Sequence, residues 1–215
     1  NVGGTPESRF WLLIEFGETS KILDQDVRAM EFPVGTKLFL RTPTISDAGV
    51  QQLTGSERIR YLNLDGTAIT DSSLEAIGTI SSLEGLSLCR TAASDEGIAQ
   101  LNRLQHLDIL RLDDCHISDK GLEAIKAMKS IRNLGLANTL ISDFGVQVLD
   151  HFPELEYLSL AGTNVTDASI KHLGRCRHLI QLELARTTIS NAGIKKLQLI
   201  LPMCDIRTTP EQVEY

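Results

Sequence analysis

The sequence predicts an α/β solenoid: a right-handed arc with a parallel β-sheet on its concave face, helices on its convex face and about eight repeats. Three observations predict it. A phrase recurs, since "LFLRTPTISDAG" at Leu38–Gly49 returns almost unchanged as "LELARTTISNAG" at Leu182–Gly193. Between the two, the phrase restarts every 24 residues with no insertion, at Ile59, Leu83, Leu107, Ile131, Leu155 and Leu179. Within each repeat the apolar period also changes, from strand-like alternation to one residue in three. A fixed period of this size marks a repeat architecture, in which no unit can bury its apolar face alone and neighbours supply the core.

The elements follow in order along one domain. Residues 1–10 read as an extension and 11–34 as a degenerate capping repeat. In the latter, Trp11, Ile14, Phe16 and Thr19 stand where other repeats have Leu, Leu, Leu and Thr, and one extra residue precedes "ILDQDVRAM". Residues 35–202 form seven repeats of 24, the first of them fitting except at Gly35. Residues 203–215 read as a closing strand from Met203 and a tail.

Inside a repeat, the fourth and sixth positions alternate with outward residues, so Leu62 and Leu64 both point into the core of a strand layer. The second half carries Leu74, Ile77, Ile80 and Leu83, or Leu122, Ile125, Met128 and Ile131, a narrow helical stripe against that layer. Ser46, Thr70, Ser94, Ser118, Ser142, Thr166 and Ser190 precede the helices as N-caps, each contributing about 1 kcal/mol. The next residue is Asp six times and Asn once, at Asn191, where a carboxylate favours the positive helix start. The repeated "SD" is therefore a cap and not a catalytic pair. At the ninth position stand Thr67, Thr91, Cys115, Thr139, Thr163 and Thr187, small groups whose hydroxyls satisfy backbone where the strand turns inward.

The phrase L-x-x-L-x-L-x-x-T-x-I-S/T-D-x-G-L-x-x-L resembles the leucine-rich-repeat family over about nine-tenths of the chain. The variant is similar to the bacterial 24-residue type, with its cysteine-containing and GALA subclasses, and to repeat proteins of planctomycete-type bacteria. Those subclasses carry Asn or Cys at the ninth position, where this chain is mostly Thr. The resemblance implies a non-enzymatic scaffold that recognises a protein partner. It leaves two alternatives open: the substrate-receptor arm of a GALA-like F-box ubiquitin-ligase effector, or a structural protein of a bacterial envelope. The first 33 residues show no F-box pattern.

Composition narrows the function further. A net charge of −7 argues against general nucleic-acid binding and against docking on anionic lipid. The longest apolar runs, at Phe10–Ile14 and Leu199–Cys204, are too short to span a bilayer. Four cysteines form no CxxC pair, and with five histidines they offer no zinc-ligand spacing, so neither metal nor cofactor is expected. His106, His116, His151, His172 and His178 fall in turns and on the helix side, and Gly3–Gly4 lacks the rest of a phosphate loop. No enzyme is expected. The chain opens on Asn and reads as a processed piece of a longer protein. The reading favours a soluble monomer in the cytoplasm, or at the envelope if an N-terminal segment precedes it.

Function must then sit where repeats differ, on the outward strand positions. The candidate partner-binding residues there are Phe39, Arg41, Tyr61, Asp65, Arg90, Ile109, Arg111, Asp113, Tyr157 and Glu183. Phe39, Tyr61, Ile109 and Tyr157 are apolar or aromatic on a wet surface, and Tyr and Arg are typical interface anchors. The charges have a plainer reading too, as cross-strand pairs that keep the sheet soluble. Beyond them Gly135, Ala137, Ala161, Gly162 and Ala185 make a smooth end that could seat a bulky element. Cys89 projects from the strand face and is expected to be the thiol that labels.

Overall fold

The computed structural model describes residues 13–209. Trp11, the 1–10 extension and the tail from Pro210 lie outside the described residues. Nine strands, β1 (Leu13–Phe16), β2 (Thr36–Leu40), β3 (Ile59–Asn63), β4 (Gly85–Ser87), β5 (Ile109–Arg111), β6 (Asn133–Gly135), β7 (Tyr157–Ser159), β8 (Gln181–Glu183) and β9 (Asp205–Arg207), pair in parallel and in chain order as one open sheet. The register sets Leu38, Leu62, Leu86, Leu110, Leu134, Leu158, Leu182 and Ile206 side by side, so one fully inward row runs through the molecule. A single apolar core extends from Ile22 to Leu201.

The returning half of each repeat is helical only at its start. Helices α1 (Asp24–Arg28), α2 (Asp47–Gln51), α3 (Asp71–Ile77), α4 (Asp95–Ile98), α5 (Asp119–Ala124), α6 (Asp143–Val146) and α7 (Ile170–Leu173) hold four to seven residues, and only α8 (Asn191–Ile200) is longer. The predicted stripe is fully buried, yet it is not one α-helix. Amides of Ile80, Leu83, Met128 and Ile131 each bond the carbonyl three residues earlier. Each such bond closes a single turn that brings residues i and i+3 close together. The stripe therefore starts on an α-helix, at Leu74 and Ile77 or at Leu122, and continues through successive three-residue turns.

Six of the seven predicted caps accept a hydrogen bond from their own helix: Ser46, Thr70, Ser118, Ser142, Thr166 and Ser190. Ser94 does not; its hydroxyl donates to Asp71 and to Glu96, whose carboxylate competes two residues on. The Asp after each cap does more than meet a helix start. Its two oxygens accept the backbone N–H and the hydroxyl of the cap in the following repeat: Asp47 from Thr70, Asp71 from Ser94, Asp95 from Ser118, Asp119 from Ser142, Asp143 from Thr166 and Asp167 from Ser190. A ladder of carboxylates thus clamps each repeat to the next.

The clamp explains three oddities of sequence. Two residues after the Asp, or after Asn191, stands Gly in Gly49, Gly97, Gly121, Gly145 and Gly193, because a Cβ there would strike the carboxylate of the preceding repeat. The exceptions, Ser73 and Ser169, donate their hydroxyls to that same carboxylate. Asn191 needs no carboxylate, since no cap follows it among the described residues. In the first repeat Asp24 clamps Ser46, 22 residues on instead of 23. The strands there keep a step of 24, from Phe16 to Leu40, so the extra residue lies between Phe16 and Asp24.

Candidate functional site

Outward strand positions separate into two regions on the concave face. In the first, Phe39 and Tyr61 stack with centroids 5.3 Å apart. The Tyr61 ring lies across Gly85, where any Cβ would collide with it, and Ile109 stands beside Gly85 on the next strand. Burial and the nearby Asp65 carboxylate raise the Tyr61 phenol above its usual range. Arg41 approaches the Phe39 ring at 6.0 Å and pairs with Glu15. Phe39, Tyr61 and Ile109 are half-buried and come together as a packed cluster.

Between the regions runs a polar seam. Asp65 accepts from the Ser87 hydroxyl at 2.6 Å and the Cys89 amide at 2.8 Å. Asp113 accepts from the Ala137 amide at 2.8 Å, from Arg111 and from the Cys89 thiol. Each Asp thus holds the backbone of the next repeat on the strand side. The strand ends at Arg111, Asp113 is buried, and the adjacent Asp114 turns outward to accept from Asn138. Cys89 corrects the expectation that it labels. It is 7% exposed, and burial with Asp113 and Asp65 nearby drives its thiol far above the usual range. Cys204 is the half-exposed thiol, pushed up to about 11 by burial and Asp205.

Arg90 lies at the edge of the face, exposed and 3.9 Å from Glu18. Its backbone is left-handed, as at Asp114, Asn138 and Arg186, with Gly66 and Gly162 at the same repeat position. The chain must reverse there from strand to core, and side chains with a Cβ occupy that conformation at about 1 kcal/mol or more. This geometry aims the eighth residue along the rim.

The second region is a depression of about 380 Å³ over β5 to β9. Gly135, Ala137, Ala161 and Ala185 floor it, in keeping with the smooth end read from the sequence. Tyr157 stands over it, 38% exposed, with Asn133 and Gln181 in the same row. Glu183 accepts from Ser159 at 2.8 Å and Gln181 at 2.9 Å. Arg186 reaches back two repeats, past Gly162, to donate to Asn138 at 3.0 Å. Of the candidate residues, Arg111, Asp113, Tyr157 and Glu183 line this depression, whereas Phe39, Arg41, Tyr61 and Arg90 do not. Arg186 and Arg207 were not singled out in the sequence. The left-handed turn that aims Arg186 has no residue signature when Arg fills it, and Arg207 follows the last full repeat.

On the convex side Asp150 receives Arg175 at 2.6 Å and stands 3.4 Å from His172. Among the described residues no group of three His, Cys, Asp or Glu side chains is placed to hold a metal ion. No helix there is long and apolar enough to cross a membrane.

The model of the family described as "Leucine Rich repeat" matches residues 58–78, 103–126 and 175–197. These segments span strand, turn and helix of the architecture described above. Those three segments are leucine-rich repeats, and the fold that contains them is a leucine-rich-repeat solenoid. No curated protein sequence matches it. Its leucine-rich-repeat fold is shared with an internalin (inlF) of Listeria monocytogenes, at 20% identity and a TM-score of 0.69 over 92% of this chain. The chain spans 54% of that protein's length. An internalin C2 (inlC2) of the same organism aligns at 19% identity and a TM-score of 0.58, over 89% of this chain and 85% of its own. At such identities the likeness is one of fold.

Proposed function

We propose that this leucine-rich-repeat chain is a non-enzymatic recognition scaffold that binds a protein partner on its concave face. One observation carries the reading. Consensus side chains are consumed by the core, the caps and the carboxylate clamp, while the outward strand residues vary and gather an exposed tyrosine, arginines and a depression. Repeat proteins of this build offer extended concave surfaces for binding, and Tyr and Arg supply much of the energy at interfaces. The alternatives are the substrate-receptor arm of a GALA-like F-box ubiquitin-ligase effector and a structural or assembly role in a bacterial envelope.

The test is affinity capture with the full chain and with a Tyr157→Ala/Arg186→Ala variant. Both side chains are exposed, so circular dichroism should show an unchanged fold. A partner bound by the wild type and weakened more than about tenfold in the variant supports the concave face. Equal capture by both proteins moves the site elsewhere.

A further inference from the structure

Resting on the recognition reading above, we propose that the depression takes a basic side chain, lysine or arginine, from a protein segment lying across β6 to β8. The argument turns on which charges already have partners. Arg111 is held by Asp113 at 3.2 Å and Arg207 by Asp205 at 2.7 Å. Arg186 and Asp114 share Asn138 between them, one donating to its amide oxygen and the other accepting from its amide nitrogen. Glu183, like Asp114, has no cationic donor among the described residues: its two donors, the Ser159 hydroxyl and the Gln181 amide, are both neutral, and Arg207, opposite it in register on β9, is turned to Asp205. Unlike Asp114, Glu183 stands beside an exposed aromatic ring.

Those donors fix the Glu183 carboxylate in place and leave acceptor sites unused, since a carboxylate has about four. Tyr157 precedes Ser159 by two residues and so stands on the same face of β7. Its exposed ring is therefore a diagonal neighbour of Glu183, within reach of one long side chain. A ring face next to a carboxylate suits a cation twice over, through the ring quadrupole and through a charge-assisted hydrogen bond. The floor of Gly135, Ala137 and Ala161 carries nothing larger than a methyl group, so an aliphatic stem can lie along it. The chain's net charge of −7 adds a long-range bias toward basic partners.

The experiment selects phage-displayed random peptides on the immobilised full chain, in parallel with Glu183→Gln, Glu183→Lys and Tyr157→Ala. The wild type should enrich peptides with Lys or Arg at one fixed position. A synthetic peptide from that pool should bind Glu183→Gln about tenfold or more weakly, with the gap narrowing in high salt. Glu183→Lys should enrich acidic residues at that position instead. Peptides that show no basic preference and bind Glu183→Gln equally, yet are lost with Tyr157→Ala, overturn the basic-side-chain inference and leave concave-face recognition standing. Selection of no peptide sensitive to any of the three substitutions overturns both.

Discussion

Asp119 shows how one residue of the repeat serves two neighbours. It opens its own helix, where a carboxylate suits the positive end, and it accepts both the amide and the hydroxyl of Ser142 in the next repeat. The second role needs a cap in the following repeat, and none follows Asn191 among the described residues. Asp119→Ala should lower stability by about 1.5–3 kcal/mol in urea unfolding, the usual loss for a hydrogen bond to a charged group. Asn191→Asp should stay within about 0.5 kcal/mol of wild type, because no cap among the described residues follows for it to hold. A gain in Asn191→Asp comparable to the loss in Asp119→Ala would mean that the carboxylate acts only on its own helix. The cap and its Asp were legible in the sequence, but the clamp was not: its partners lie 23 residues apart, and only stacking brings them together.

At the scale of elements, the strands carry the fold and the outward side chains differ in what they do. Leu110 in β5 is fully buried between Leu86 and Leu134. Leu110→Ala should cost about 2–5 kcal/mol as a core truncation. Tyr61 and Tyr157 occupy the same repeat position, yet Tyr61 lies flat against Phe39 and over Gly85 while Tyr157 stands exposed. Tyr61→Ala should therefore lose about 1–3 kcal/mol. Tyr157→Ala should change stability by less than about 0.5 kcal/mol. Thermal denaturation of the two variants checks this; equal losses would mean the two rings share one environment. The sequence grouped both tyrosines as exposed anchors. It could not separate them, because the size of the residue across the strand pair, Gly85 against Gln181, sets whether a ring lies down.

For the whole molecule, the ladder ties stability to pH. Burial raises the Asp47 and Asp143 carboxyls, but hydrogen bonds from Ser73 and Thr70, and from Ser169 and Thr166, outweigh it and leave both below the ordinary range. Asp167 is lowered chiefly by the Ser190 hydroxyl. Folded values below unfolded ones mean that the clamp contributes fully above pH ~4 and is lost as pH falls through the folded values. Because each repeat is stable only through its neighbours, these losses should add along the array. Thermal midpoints should hold from pH 7 to about 5 and fall steeply below about 4. A variant with Asp47, Asp143 and Asp167 changed to Asn should show a lower midpoint at neutral pH and a shallower acid decline. An unchanged acid slope would place the sensitivity in other carboxylates.

What the sequence determined by itself was what recurs within each repeat. The 24-residue phrase, the inward leucines, the caps and the threonines that bond back to the strand are local or periodic, and each repeat states them again. The tertiary structure decided what depends on contacts between repeats: the burial of Cys89, the seam at Asp65 and Asp113, the reach of Arg186 to Asn138, and the depression beneath Tyr157. The reason is physical. Periodic side chains face the same surroundings in every turn of the solenoid, so one repeat predicts the next. A side chain on the variable face meets neighbours 24 or 48 residues away, whose sizes and charges follow no period, and only the stacked fold sets them side by side.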